Sequence, residues 1–245
     1  MTLEKIPNIS VDCVVFGFDV ISKSLNVLLI NRRLNKPNKE NIIIDDYVLT
    51  GYHIYKNETL DDAASRVLNE LTGLHNLYKK QFKVFGNPNR LMNKKDIIWA
   101  ESENFNLRTV TVAYYFLLPT HEVNLEENPY NANWFPINNL PELGFDHEKI
   151  INEAYEDLKF KSLHEPITFE LLPDKFTIKD LQDLYESILG IQIDNRNFRR
   201  KLIKKKYIIA LDEKQTGVSK KPAQLYMFSR DVYKKVYEKN FLINI

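Results

Sequence analysis

A chain of 245 residues, 44% hydrophobic and 27% charged, has the composition of a globular protein with one large domain or two small ones. No segment reaches the length of a membrane span, and the start "MTLEKIPN" lacks the basic stretch and apolar core of a signal peptide, which predicts a cytoplasmic protein. The single cysteine, Cys13 in "VDCVVFGF", excludes a disulfide framework and reads as a small core residue, with no His or cation near it in sequence to make it a nucleophile.

The net charge of +1 conceals an asymmetry. Between Asn195 and Lys221, ten Lys or Arg stand against Asp212 and Glu213, a net of +8 that leaves −7 for the remainder. A basic segment on an acidic body predicts a dedicated polyanion-binding part; the plain alternative is a solvated basic helix.

In chain order, the apolar and β-branched runs "VDCVVFGFDV" and "SLNVLLINRR", separated by "ISK", predict a hairpin. "YVLTGYHIY" predicts a short strand leading into a turn. A helix follows over 59–72, with Thr59 as N-cap, Asp62 at its third position, Asp61 in its first turn and Gly73 just past its end. "FKVFGNP" and "RTVTVAYYFLL" predict further strands, and the polar "RLMNKKDIIWAESENFNL" between them reads as a loop or partly ordered insertion. "NANWFPINNLP" predicts a last strand and turn. "FDHEKIINEAYEDLKFKSL" predicts an amphipathic helix with Ile150, Ile151, Ala154 and Leu158 at helical spacing, and His147 reads as a structural residue that caps it.

Prolines in "SLHEPITFELLPDKF" interrupt the periodicity and place a boundary between domains 1–162 and 163–245. Beyond it, "TIKDLQDLYESILG" predicts a helix from Thr177 to Gly190, and "DNRNFRRKLIKKKY" a second helix capped by Asp194. "YIIALDE", a basic tip and "QLYMFS" predict a β-hairpin. Helix, turn, basic helix and two-stranded wing describe a winged helix-turn-helix. In the second helix Phe198, Leu202 and Ile203 are expected to face a small core. Arg196, Arg199, Arg200, Lys201, Lys204 and Lys205 are left for double-stranded operator DNA, with Asn197 placed to read adenine and the wing residues Lys220 and Lys221 to meet phosphates.

The stretch "GYHIYKNETLDDAASRVLNELTGL", residues 51–74, resembles the Nudix box, G-x5-E-x7-R-E-U-x-E-E-x-G-U with U aliphatic. Glu58, Arg66, Leu68, Glu70, Gly73 and Leu74 fix the register, and the opening glycine of the pattern falls on Tyr52. The helix carboxylates of that pattern fall on Val67, Glu70 and Leu71. Positions 67, 70 and 71 share one helix face, where three carboxylates could hold Mg²⁺ over a diphosphate. One carboxylate with two apolar neighbours makes a weak metal site. Glu58, Arg66 and Glu70 are therefore expected to be remnants of a catalytic set, with no metal or other cofactor required. The plain reading is that Val67 and Leu71 belong to a core, and that Arg66 and Glu70 form an i, i+4 ion pair.

With "FGNPNR", "RTVTVAYYFLL", "FDH", "LLPDKFT" and the closing "LYMFS", nearly the whole chain resembles the Nudix-related transcriptional regulators. The resemblance implies an α+β chain: a Nudix-like α/β/α sandwich with a mixed sheet, followed by a winged helix-turn-helix. It also implies a homodimeric repressor or activator that senses a small molecule, either ADP-ribose or a pentose such as L-arabinose; "RVLNELTGL" is nearer the sugar-responsive branch. Arg32, Tyr52, His53, Glu58, Arg66, Glu70 and Arg90 are the candidate effector-binding residues. The alternative is an Mg²⁺-dependent Nudix hydrolase of ADP-ribose or another nucleoside diphosphate sugar.

Overall fold

From Val11 to Phe18 the first long strand is apolar on both faces except at Asp12, which marks a strand covered on both sides. In the computed structural model, which describes residues 5–34, 43–91, 93–103, 108–123, 125, 130–217 and 222–237, this strand is β1 (Lys5–Asp19), with Val11, Cys13, Val14, Val15, Phe16 and Phe18 all fully buried. There follow β2 (Ser24–Leu34), β3 (Ile44–Val48), β4 (Thr50–Tyr55), α1 (Leu60–Thr72), β5 (Tyr78–Phe85), α2 (Lys94–Ser102), β6 (Val110–Pro119), β7 (Asn133–Pro136) and α3 (His147–His164). The strands form one sheet in the order β3-β2-β1-β6-β5, with β4 paired to β1 and β7 to β2. Two registers position the site described below: Asp12 lies opposite Gly51, and Arg32 opposite Asp46.

Helix α1 ends where its caps end it. Thr59 Oγ1 accepts from the Asp62 N–H at 3.1 Å and the Asp62 carboxylate accepts from the Thr59 N–H at 3.3 Å, while Gly73 takes a left-handed φ of 79° and donates its N–H to the Asn69 carbonyl. Ala63, Ala64, Val67 and Leu68 form its buried face. Cys13 packs against it, with Sγ 3.7 Å from the Ala64 carbonyl, and burial pushes its thiol pKa up; it is a core residue, as the sequence suggests.

The polar stretch after Arg90, read from sequence as a loop, contains a helix. Asn93 caps α2 by accepting from the Lys95 N–H at 3.0 Å. Periodicity missed it because only Asp96 and Ala100 of this helix are buried, and one of them is charged. Residues 104–107 lie outside the described residues.

The C-terminal elements are a 3-10 turn (Pro166–Leu171), α4 (Ile178–Leu189), α5 (Asn195–Ile203), β8 (Ile208–Lys214), β9 (Gln224–Phe228) and α6 (Arg230–Tyr237), the last lying beyond any element read from the sequence. Thr177 and Asp180 form a capping box on α4, which stops at Gly190 with φ 67°. Aromatic packing supplies the core: Phe169 stacks on Phe228 at 4.2 Å, and Tyr207 meets both edge-on. Phe198 and Leu202 are buried as expected, but Ile203 is 52% exposed. Five residues of helix turn it well away from the Phe198 direction.

The chain divides into two compact units, one of Met1–Gly17, Asn26–Leu117 and Glu122–Tyr155, the other of Phe18–Leu25, Leu118–His121 and Glu156–Ile245. Among the described residues no helix is long and apolar enough to cross a membrane. Removing the α1 cap with Thr59→Ala is expected to lower stability by about 1 kcal/mol, read as an earlier midpoint in urea unfolding with an unchanged slope.

Candidate functional site

The loop before α1 is closed onto the helix by a single guanidinium. Arg66 donates from Nε to Glu58 Oε2 at 2.8 Å, from Nη2 to Glu58 Oε1 at 2.6 Å and to the His53 carbonyl at 3.1 Å, and from Nη1 to Glu70 Oε2 at 3.0 Å. It also lies over the Tyr55 ring at 4.0 Å, and Glu58 Oε1 accepts from the Tyr55 N–H at 2.7 Å. The hydrogen bonds from Arg66 hold the Glu58 carboxyl below the usual glutamate range. The i, i+4 pair expected between Arg66 and Glu70 is present, and it leaves Glu70 with a partner.

Beside this frame, wholly within the first unit, lies a cavity of about 480 Å³. Of the seven candidate effector residues, Arg32, Tyr52, His53, Glu70 and Arg90 line it; Glu58 and Arg66 do not, because their side chains bind each other and the loop backbone. Val67 and Leu71 line it too, so apolar groups stand where the Nudix pattern has carboxylates. Val67 is fully buried. The residues at 67, 70 and 71 do not fit a magnesium ion: two offer no oxygen and the third is paired to Arg66.

Two buried arginines build the rest of the wall. Arg32 on β2 makes a bidentate pair with Asp46 on β3, Nε to Oδ1 and Nη2 to Oδ2 both at 2.7 Å, and Nη2 lies 2.8 Å from Asp96 Oδ1 on α2. Its guanidinium faces the Phe145 ring at 4.4 Å and the Trp99 ring at 5.5 Å. Gly144 is required against it: a Cβ there would fall 2.5 Å from Nη2 and 2.7 Å from Cζ. Arg90 pairs with Asp146 (Nη2 to Oδ1, 2.6 Å) and with Asp12 (Nη2 to Oδ2, 3.3 Å), which ties its turn to β1 and to the segment before α3.

His147 does not cap α3. Its Nδ1 accepts from the Leu49 N–H at 2.9 Å, fixing the β3–β4 connection, and burial lowers its pKa so that the ring is neutral. His53 places Nδ1 3.2 Å from the Ile9 carbonyl, to which it can donate. The sequence reading missed Asp12, Asp46, Asp96, Trp99 and Phe145. Asp46 could have been found by pairing "NRR" with "IDDYV" across a hairpin, whereas Asp96 and Trp99 sat in the stretch taken for a loop.

The second unit carries the other candidate surface. Asp194 caps α5, accepting from the Asn197 N–H at 2.8 Å. Arg196, Arg199, Arg200 and Lys204 are exposed, and Asn197, Lys201 and Lys205 half-buried. Asn197 is already engaged, its Oδ1 accepting from Arg200 Nη2 at 2.9 Å. Strands β8 and β9 form the two-stranded wing. Lys220 and Lys221 fall in 218–221, outside the described residues.

Residues 168–228 match the NrtR DNA-binding winged helix domain. Over 233 residues the chain is 28% identical to the ADPR responsive transcriptional repressor NtrR of Acinetobacter baylyi, covering 93% of this chain and 84% of that one. The crystal structure of Shewanella oneidensis NrtR complexed with a 27mer DNA matches with a TM-score of 0.71 at 27% identity, over 92% of this chain and 95% of that one. An ADP-ribose pyrophosphatase of Methanocaldococcus jannaschii is 30% identical over 136 residues, which cover 55% of this chain and 68% of that enzyme. Fold and matches together define a protein with a Nudix domain and a DNA-binding winged helix. Residues 168–228 form a winged helix of the NrtR type, and over nearly its whole length the chain is similar to the NrtR repressors. None of these relatives carries the lean toward an arabinose-responsive branch drawn from "RVLNELTGL".

The lowered Glu58 pKa has a stability consequence with a definite sign. Its contribution is complete above the ordinary glutamate value of 4.5 and is lost as pH falls from there through the lowered value. Thermal midpoints measured from pH 7 to pH 3 should fall less steeply for Glu58→Gln than for the wild type, and the variant should be the less stable of the two at pH 7.

Proposed function

We propose that this protein is a ligand-responsive transcriptional repressor without catalysis. Its winged helix, assigned to residues 163–245, binds operator DNA, and its Nudix domain, residues 1–162, takes a small-molecule effector into the cavity beside α1. The observation that carries the reading is the fate of the box. Glu58, Arg66 and Glu70 hold one another and the loop, while Val67 and Leu71 present apolar groups to the cavity. What remains is a shaped pocket without the oxygen set for a metal.

ADP-ribose is the first candidate effector, because the Acinetobacter baylyi relative is an ADPR responsive repressor and the Methanocaldococcus jannaschii relative an ADP-ribose pyrophosphatase. Of the residues expected to bind it, Arg32, Tyr52, His53, Glu70 and Arg90 remain assigned to the cavity. Arg196, Asn197, Arg199, Arg200, Lys201, Lys204 and Lys205 are assigned to the duplex, with Lys220 and Lys221 assigned from sequence alone. A homodimer would present two such helices to an inverted repeat. An effector with higher affinity for one dimer geometry shifts the population away from the operator-bound one, by no more than its differential affinity for the two.

The hydrolase alternative has one observation in its favour, the similarity to a pyrophosphatase. The two readings part on measurement. Fluorescence anisotropy with an operator duplex should show affinity that falls with added salt. Arg199→Ala with Arg200→Ala should cost about tenfold or more while the melting temperature holds. ADP-ribose with Mg²⁺ should yield no AMP above the protein-free rate. Turnover abolished by Glu70→Gln would establish the hydrolase instead, and duplex affinity untouched by the double arginine change would remove α5 as the reading helix.

A further inference from the structure

The turn between β1 and β2 makes more contacts than a link between two strands requires. Asp19 closes it, accepting from the Ile21 N–H at 2.9 Å and from Ser22 Oγ at 2.7 Å. Lys23 then takes a left-handed φ of 58°, a conformation that costs a lysine free energy. Its ammonium lies 3.1 Å from the carboxylate of Asp183 on α4, which is buried and has Lys179 as its other partner at 2.6 Å. Within β2, the Leu25 N–H donates to Ser187 Oγ of the same helix at 2.9 Å. The turn and α4 belong together, since the second compact unit takes in Phe18–Leu25.

The side of α4 that receives this turn also holds the start of the basic helix. Positions 179, 183, 186 and 187 are neighbours on the helix surface. Glu186 Oε1 accepts from the Ile193 N–H at 2.9 Å and from Gln182 Nε2 at 2.9 Å, and Gln182 Nε2 also donates to the Ile193 carbonyl at 3.0 Å. Ile193 immediately precedes Asp194, the cap of α5. A movement of α4 is thereby passed to the first turn of α5.

Further along, β2 is cavity wall: Ile30, Asn31 and Arg32 line it in succession. The stretch between, Asn26 to Leu29, is bonded to β7 on one side and β1 on the other, and Val27, Leu28 and Leu29 are fully buried. Leu25 and Ile30 are roughly 17 Å apart along such a strand. Close packing and two bonded edges leave this stretch no room to bend, so a displacement at one end reaches the other. We propose that β2 is the element through which the cavity acts on the winged helix: its Ile30–Arg32 end responds to the effector, and its Leu25 end, with Lys23, moves the α4 side that sets α5. The proposal rests on the effector reading above and names the route by which that cavity regulates DNA binding. Lys23 and Ser187 are positioning residues; neither lines the cavity, and neither is assigned to the duplex.

Amide hydrogen exchange on the full-length protein, with and without saturating ADP-ribose, tests the route, and titration calorimetry measures binding separately. In the wild type, ADP-ribose is expected to change the exchange of residues 191–203 by about fivefold or more, the scale of a modest coupling between sites. Lys23→Ala with Ser187→Ala should abolish that change while ADP-ribose affinity stays within about twofold of the wild type. Lys23→Arg with Ser187→Thr, which keeps the charge and the hydroxyl, should restore it. A wild-type response at 191–203 in the double alanine variant would overturn the route, as would a wild type that binds ADP-ribose with no response there; both leave the effector reading standing. Loss of ADP-ribose binding itself in the double alanine variant would mark a merely structural role and also overturn it. No heat with the wild type would remove the ADP-ribose reading and this proposal with it. Should the double variant fail to fold, Lys23→Ala alone serves: Asp183 keeps Lys179 as its partner, and an undiminished response at 191–203 would overturn the proposal.

Discussion

The bidentate contact between Arg66 and Glu58 is the constraint on which the site depends. A loop that leaves β4 and returns into α1 needs a fixed exit, and one planar guanidinium supplies it by holding the Glu58 carboxylate and the His53 carbonyl together. Because the fork is partly buried, removing Arg66 would leave the Glu58 carboxylate without its counter-charge, while removing Glu58 would leave Arg66 with Glu70 alone. The third acceptor, Glu70, brings the helix face into the same arrangement. Glu58, Arg66 and Glu70 of the box thus have a structural use that needs no metal: they close a loop.

Around that frame the cavity uses the same device repeatedly. Arg32 lies among Asp46, Asp96 and two aromatic rings, and Arg90 between Asp12 and Asp146. Each guanidinium joins segments far apart in sequence, so the wall is assembled from β1, β2, β3, α2 and the turns before α2 and α3. Such rigidity suits recognition, since little side-chain freedom remains to be lost when a ligand enters.

Legibility in the sequence followed locality. Helix caps are contacts between neighbours three residues apart, so Thr59 with Asp62, Thr177 with Asp180 and the glycines at 73 and 190 could all be read directly. The Nudix register and the basic helix were likewise contained in short windows. The buried carboxylates were not, because Asp46 gains its meaning only from the strand register that sets it opposite Arg32. Helix α2 stayed hidden since one of its two buried residues is an aspartate, which a search for apolar periodicity discards. Ile203 was misplaced for the opposite reason: an apolar side chain near the helix end was credited to a face it does not share. Tertiary pairing of charges is the level at which pattern reading stopped.

Val67 is more than a missing ligand. It is fully buried in the face that α1 packs inward, and Leu71 beside it lines the cavity. Restoring carboxylates there would place new charges against apolar neighbours, at a cost in folding before any metal could repay it. The two apolar side chains thus do double service: they complete the packing of α1 and set the chemistry of the wall, so a change that made this face acidic would be felt by the fold as well as by the pocket.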